Sequence, residues 1–453
     1  MRSMQYKILA VVVGLMLVSG CEKSHNPNYQ EEVSNPEYLH QSVKKLTDVI
    51  VHDIFSPPVA SRIYAYASIA GYEALVNGYP EYRSLAGQLN GLENIPQPNA
   101  SEEYCFSIAG LHAFLTVGKT LIFSEDKIEE FQNILYTKIK NKGVPEDVYE
   151  RSIAYGEAVG KHILAWAGED NYKQTRTFPK FEITTAEASR WQPTPPSYMD
   201  AIEPHWSKIR AFVLDSSNQF IPPPPTRFSM KEDSDFYKEA LEVYETGKNL
   251  TEEQEAIAKF WDCNPYVAHL QGHLMFATKK ITPGGHWMGV TAIASRKAKA
   301  DIMKTAEAYA FASIALADGF ISCWDEKYRS NLIRPETVIN QHIDPDWAPV
   351  LQTPPFPEYT SGHSVISSAA AIALTHVFGE PFQYTDTTEV EYGLPPRSFN
   401  SFIQASEEAA VSRMYGGIHY RPACEIGIDQ GRKVGRFIVK NIHTRKDESV
   451  AAK

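Results

Sequence analysis

Apolar residues recur at spacings of three and four over most of the chain. In residues 37–54 they fall at Leu39, Val43, Leu46, Val49, Ile50 and Ile54, one stripe of a helix. The same period predicts helices over 59–77, 102–122, 124–141 and 145–167, the last opened by Pro145 after Gly143 closes its predecessor. Further helices are expected over 234–247, 251–262, 265–280, 286–322, 362–379, 400–415 and 424–441, with Thr251 and Gln254 spaced as a capping box. Strand-type alternation is scarce. The expected fold is all-α, helices packed as bundles.

Two stretches break the pattern. Over 172–235, Pro193, Pro195, Pro196 and the prolines at 222–225 forbid continuous helix. The same stretch carries Trp191, Trp206, Phe212, Phe220 and Phe228, too much aromatic surface for a free linker, so an ordered loop lying on the body is expected. At the start, Arg2 and Lys7 precede an apolar run over residues 8–18, too short to span a bilayer but suited to a secretory signal. It ends in Leu17-Val18-Ser19-Gly20-Cys21, which resembles a bacterial lipobox. That resemblance implies cleavage before Cys21, a lipid on its thiol, and a periplasmic, outer-membrane or cell-surface lipoprotein. The expected organisation is a signal peptide over 1–20, a tether over 21–35, an N-terminal helical region over 36–250 and a C-terminal helical core over 251–445.

Composition narrows the partners. Lys plus Arg is 44 against 55 Asp plus Glu, a formal charge of −11, which excludes a general nucleic-acid binder. No stretch after the signal is apolar enough to span a membrane. Exported cysteines can pair, and Cys105, Cys263, Cys323 and Cys424 allow three connectivities, with Cys323 and Cys424 lying beside the motifs below. No Cys-x2-Cys pair suggests a zinc ribbon. His269 and His273, four apart on an expected helix, are a weak metal-ligand pair without the glutamate of a zincin.

The chemistry is carried by three segments. The first runs from Trp324 through Lys327 to Arg334-Pro335; Lys327 and Arg334 are seven apart, which on a continuous helix puts them on one face. The second is Pro354-Pro355-Phe356-Pro357-Glu358-Tyr359-Thr360-Ser361-Gly362-His363. Its prolines force an extended approach, and Thr360 or Ser361 caps the next helix. Gly362 then lies in a first turn whose free amides favour an anion, with the Ser361 hydroxyl and His363 beside it. The third is Ser412-Arg413-Met414-Tyr415-Gly416-Gly417-Ile418-His419, where the glycine pair ends a helix and lets Arg413 and His419 converge. Lys327, Arg334 and Arg413 thus offer three cations to one tetrahedral oxyanion. His419 is left as nucleophile or metal ligand, and His363 as acid–base partner.

Lys-x6-Arg-Pro, Ser-Gly-His and Ser-Arg-x5-His in this order resemble the superfamily shared by type 2 phosphatidic acid phosphatases and vanadium-dependent haloperoxidases. The resemblance implies a helical-bundle fold and a site for phosphate or vanadate. Lys327, Arg334, Ser361, Gly362 and Arg413 would bind the oxyanion's oxygens. His419 would ligate vanadium or form a phosphohistidine, and His363 would act as acid–base. Trp324, three before Lys327, and Pro-Phe-Pro-x-Tyr before Ser-Gly-His are similar to the haloperoxidase branch, most of all to flavobacterial vanadium iodoperoxidases. That branch implies vanadate as cofactor, hydrogen peroxide and a halide (iodide first) as substrates, and a halide pocket lined by Trp324 and Phe356. Two positions depart from the superfamily pattern. Thr360 replaces a proline, and Ala423 stands where phosphatases carry an aspartate that orients the last histidine, with Glu425 a substitute at best. The alternatives are an extracytoplasmic acid phosphatase working through a phosphohistidine, and a non-catalytic anion-binding surface lipoprotein.

Overall fold

The computed structural model describes residues 26–271 and 274–446. The signal peptide and residues 21–25 of the tether, Cys21 among them, lie outside them, as does His273; the rest of the expected tether is described, and its residues Tyr29–Val33 form a helix rather than a flexible chain. The first half contains α1 (Tyr29–Val33), α2 (Glu37–His52), α3 (Pro57–Leu75), α4 (Phe106–Thr120), α5 (Glu125–Lys140), α6 (Glu146–Gly168) and the single turn α7 (Tyr172–Thr175). After the Pro-rich stretch come α8 (Asp235–Lys248), α9 (Glu252–Phe260), a hairpin of β1 (Val267–Gln271) and β2 (Leu274–Thr278), α10 (Pro283–Lys297) and α11 (Ile302–Ser330). The chain closes with α12 (Pro335–His342), α13 (Gly362–Phe378), the small strands β3 (Tyr384–Asp386) and β4 (Arg397–Phe399), α14 (Phe402–Tyr415) and α15 (Arg421–Asn441). No described helix is long and apolar enough to cross a membrane.

The all-α expectation holds, with two local corrections. The stretch 265–280 is an antiparallel hairpin pairing Val267 with Thr278 and His269 with Phe276, not a helix. Short apolar runs cannot be assigned by period alone, and the Ala268 amide here donates to Gln352 Oε1 at 2.7 Å, as an extended edge allows. His269 bonds Thr278 Oγ1 at 2.9 Å, so the helical pairing with His273 has no basis. The helix expected over 286–322 is two helices. Lys299 has φ +51°, and Asp301 caps α11 by accepting from the Lys304 amide at 2.7 Å.

One apolar cluster runs from Tyr29 to Ile442 and joins α3 and α4 to α11 and α13. At its centre α13 packs against α10, α11, α14 and α15. Its contact with α15 is backbone-close. A Cβ added at Gly431 would sit 2.1 Å from the Val365 carbonyl oxygen, so only glycine fits there. This close approach, continued at Gly427 and Gly435, seats the helix whose first turn carries Gly362 and His363.

The Pro-rich stretch is ordered, as its aromatic content implied: Trp191, Trp206 and Phe212 are all buried. Asp318, buried on α11, accepts from the amides of Phe212, Val213 and Leu214 at 2.7, 2.8 and 3.0 Å, satisfying three donors that no helix or strand could pair. Further along, the Ile202 carbonyl accepts from Trp324 Nε1 at 3.2 Å, and its amide donates to the Pro355 carbonyl at 3.0 Å. The loop therefore fixes two parts of the site from outside.

Two outcomes test this packing. Gly431→Ala should cost about 3 kcal/mol or more through overpacking, seen as a clear fall in melting temperature. Asp318→Ala should cost roughly 3 kcal/mol by orphaning three buried amides, and limited proteolysis should then cut first between residues 190 and 225.

Candidate active site

The three sequence segments meet at the buried end of a cavity of ≈150 Å³ whose wall includes Trp324, Phe356, Gly362, His363, Arg413 and His419. Lys327 and Arg334 do not share a helical face, contrary to the spacing argument. α11 ends at Asn331, which takes φ +47°, and Arg334 caps the following α12. The turn carries Arg334 back toward Lys327. Gly416 and Gly417 act as expected: α14 stops at Tyr415, Gly417 has φ +77°, and His419 is returned toward Arg413.

Arg334 is wholly buried. Its Nε donates to the Phe356 carbonyl at 2.9 Å, its Nη1 to the Ile418 carbonyl at 2.8 Å, and Nη1 lies 3.1 Å from His419 Nε2. Its Nη2 has no partner. Lys327 Nζ spends its three protons on the carbonyls of Pro357, Glu358 and Thr360, at 3.0, 3.0 and 2.6 Å. Its side chain runs behind Gly362, where a Cβ would meet Lys327 Cε at 4.0 Å. Arg413 donates from Nε to Ser412 Oγ at 3.0 Å and from Nη2 to the Ala258 carbonyl at 3.3 Å. Burial pushes all three cations down, Lys327 to about 8 and Arg334 to about 10.

The two imidazoles are neutral for the same reason. Burial, then the Arg334 charge, holds His419 well below its ordinary value; burial, then Arg413, does so for His363. His419 Nδ1 is 2.7 Å from Glu358 Oε1, which also accepts from the Tyr420 amide at 3.0 Å. With Nδ1–H given to Glu358 and Arg334 donating to Nε2, the Nε2 lone pair faces the cations. His363 is tied through its ring to the Trp261 carbonyl, and its Nε2 has no partner. Ser361 caps α13, accepting from the Ser364 amide at 3.4 Å, so its hydroxyl proton remains for donation. Trp324 and Phe356 pack at 4.9 Å against the same cavity with their planes tilted by 51°, and the Lys327 ammonium lies 5.0 Å from the Phe356 ring centre.

Of the residues expected from sequence, Trp324, Phe356, Gly362, His363, Arg413 and His419 line the cavity, Arg334 reaches His419, Lys327 lies behind Gly362 and Ser361 caps its helix. One partner was missed. Glu358, buried in an otherwise apolar segment, takes the orienting part assigned to a carboxylate after the last histidine. Glu425 does not; it is largely exposed and lies 3.9 Å from Arg421. Burial raises Glu358 to about 7, its charge being favoured by Arg334 and Lys327. The considered Cys323–Cys424 disulfide does not form. All four described cysteines are free and buried, and Cys323 Sγ instead lies 3.5 Å from the Thr360 carbonyl.

Residues 307–447 match the family described as the second helical-bundle domain of vanadium chloroperoxidase. The whole chain is similar to a crystal structure of the first bacterial vanadium-dependent iodoperoxidase, with 55% identity over 92% of this chain and 98% of that one, and a TM-score of 0.87. The chain belongs to the vanadium-dependent haloperoxidase family. Holo and apo bacterial vanadium-dependent chloroperoxidases share the haloperoxidase fold at 17% identity and TM-scores of 0.66, over 86% and 85% of this chain. No curated protein sequence matches. In this haloperoxidase the three sequence segments meet in one cation-rich pocket around the His419 imidazole, whose Nε2 lies 3.1 Å from Arg334 Nη1.

Two substitutions test the electrostatics with inorganic phosphate as probe. Arg413→Ala should weaken phosphate binding roughly tenfold or more, the worth of a charge-assisted hydrogen bond. Its melting temperature should not fall, because the substitution removes a buried like charge. Glu358→Gln should weaken oxyanion binding about 10- to 100-fold, as loss of a second-layer histidine partner does. Isothermal titration and thermal melts read both.

Proposed function

We propose that the protein is a vanadium-dependent halide peroxidase that oxidises iodide with hydrogen peroxide. Arg334 Nη1 lying 3.1 Å from a His419 Nε2 whose opposite nitrogen is held by a carboxylate carries this reading, together with the 55% identity to an iodoperoxidase. A neutral imidazole with a fixed tautomer is a metal ligand; a fork of buried guanidinium beside it suits the oxygens of vanadate. The residues fit that group. Arg334 Nη2 and His363 Nε2 are buried and unpartnered, and both His363 and His419 face the cavity.

When bound, vanadate supplies a Lewis acid that activates hydrogen peroxide toward attack by halide. The chain's own residues do the rest. His419 holds the cofactor through Nε2. Arg334, Arg413, the Ser361 hydroxyl and the Gly362 amide at the start of α13 neutralise its oxygens. Lys327 adds positive charge from behind Gly362, its ammonium being engaged by three carbonyls. His363, neutral and with Nε2 open, accepts the proton that peroxide sheds on binding. Trp324 and Phe356 form an apolar wall that suits a large, weakly hydrated halide. Export as a lipoprotein through Cys21 completes the proposal, supported by Arg2, Lys7 and the apolar run over residues 8–18.

A phosphatase reading gains one observation: Glu358 supplies the orienting carboxylate whose lack at Ala423 counted against it. One assay separates the two. Protein reconstituted with orthovanadate and given peroxide and iodide should form triiodide, and His419→Ala should abolish it. Turnover of a phosphomonoester with vanadate acting only as inhibitor would overturn the peroxidase reading.

A further inference from the structure

Beside the catalytic cavity lies a second cluster of ligand-type side chains. Cys263, His286 and Glu389 are buried, and Cys263 lines the cavity wall. Their side chains converge on one another. Cys263 Sγ is 3.5 Å from His286 Nδ1 and 3.9 Å from Glu389 Oε1, and His286 Nδ1 is 2.9 Å from the same Oε1.

We propose that Cys263, His286 and Glu389 bind one divalent cation of borderline softness, Zn²⁺ in the first place, as a metal centre separate from the oxyanion site. Three atoms with those separations lie on a circle of radius about 2.0 Å, close to zinc–nitrogen and zinc–oxygen bond lengths; the roughly 2.3 Å of zinc–sulfur requires the Cys263 sulfur to draw back by only about 0.3 Å. Three protein ligands leave a fourth tetrahedral position, which the cavity beside Cys263 can supply with water.

The outer layer fits too. His286 Nε2 is 2.8 Å from Asp386 Oδ2, which places a carboxylate behind the imidazole and leaves Nδ1 for the ion. Thr388 fixes that carboxylate, its hydroxyl and amide donating to Asp386 Oδ1 at 2.6 and 2.9 Å. Trp261 lies flat on the imidazole at 4.5 Å, and Phe260 meets it edge-on at 5.5 Å. This is a packed, dry shell that keeps the ring in one orientation.

Cobalt(II) is the probe, added to chelator-treated, vanadium-free protein. The expected result is one equivalent bound, a thiolate-to-cobalt charge-transfer absorption in the near ultraviolet, and proton release in an unbuffered titration. Cys263→Ser should lose the absorption and bind at least tenfold more weakly, while still binding orthovanadate, which shows that it is folded. His419→Ala should keep the absorption, so failure at the oxyanion site does not confuse the result. No stoichiometric cobalt in the wild type, or an absorption that survives in Cys263→Ser, overturns the proposal.

Discussion

The structure is organised around a buried charge imbalance. Lys327, Arg334 and Arg413 are all withdrawn from water around one imidazole, and Glu358, itself pushed up to about 7, is the carboxylate that touches that imidazole. Three desolvated cations facing one such anion are costly unless a guest brings negative charge. Backbone carbonyls solvate them in part. Lys327 is saturated this way, and Arg334 and Arg413 are each half-tied. What is left over, Arg334 Nη2 and His363 Nε2, beside a His419 Nε2 engaged by Arg334 alone, is the capacity to receive an oxyanion.

Holding such a site requires a rigid frame, and the fold provides it through one helix. α13 is enclosed by four others and approached by α15 to the point where only glycine fits at residue 431. Its first turn delivers Gly362 and His363, its cap delivers Ser361, and the extended segment before it delivers Phe356 and Glu358. The Pro-rich loop closes the structure from outside, with Asp318 collecting its amides and Ile202 gripping both Trp324 and Pro355. Loop, helix and motif are thus coupled: disorder in the loop would release the Trp324 ring that lines the cavity.

Much of this was legible in the chain, for physical reasons. Helices announce themselves by a period of 3.6, and Ser361 and Gly417 have cap and turn chemistry that local sequence displays. The convergence of Lys327 and Arg334 was foreseen, but by the wrong route: Asn331 ends α11 in a left-handed turn, which the seven-residue spacing conceals. Glu358 was passed over because its partner is 61 residues away, and long-range pairing leaves no local pattern. The hairpin at 267–278 was hidden because a short apolar run fits either period. The Cys263, His286 and Glu389 cluster was equally invisible, since its three ligands are spread over 126 residues and only the fold brings them together.

The most direct test of the central claim is a crystal of the vanadium-free protein soaked in orthovanadate and measured at the vanadium absorption edge. The account predicts a single anomalous peak within bonding distance of His419 Nε2, with the guanidinium groups of Arg334 and Arg413 on its oxygens. A peak elsewhere, or His419 Nε2 still paired only with Arg334 while vanadate occupies no buried site, would contradict it.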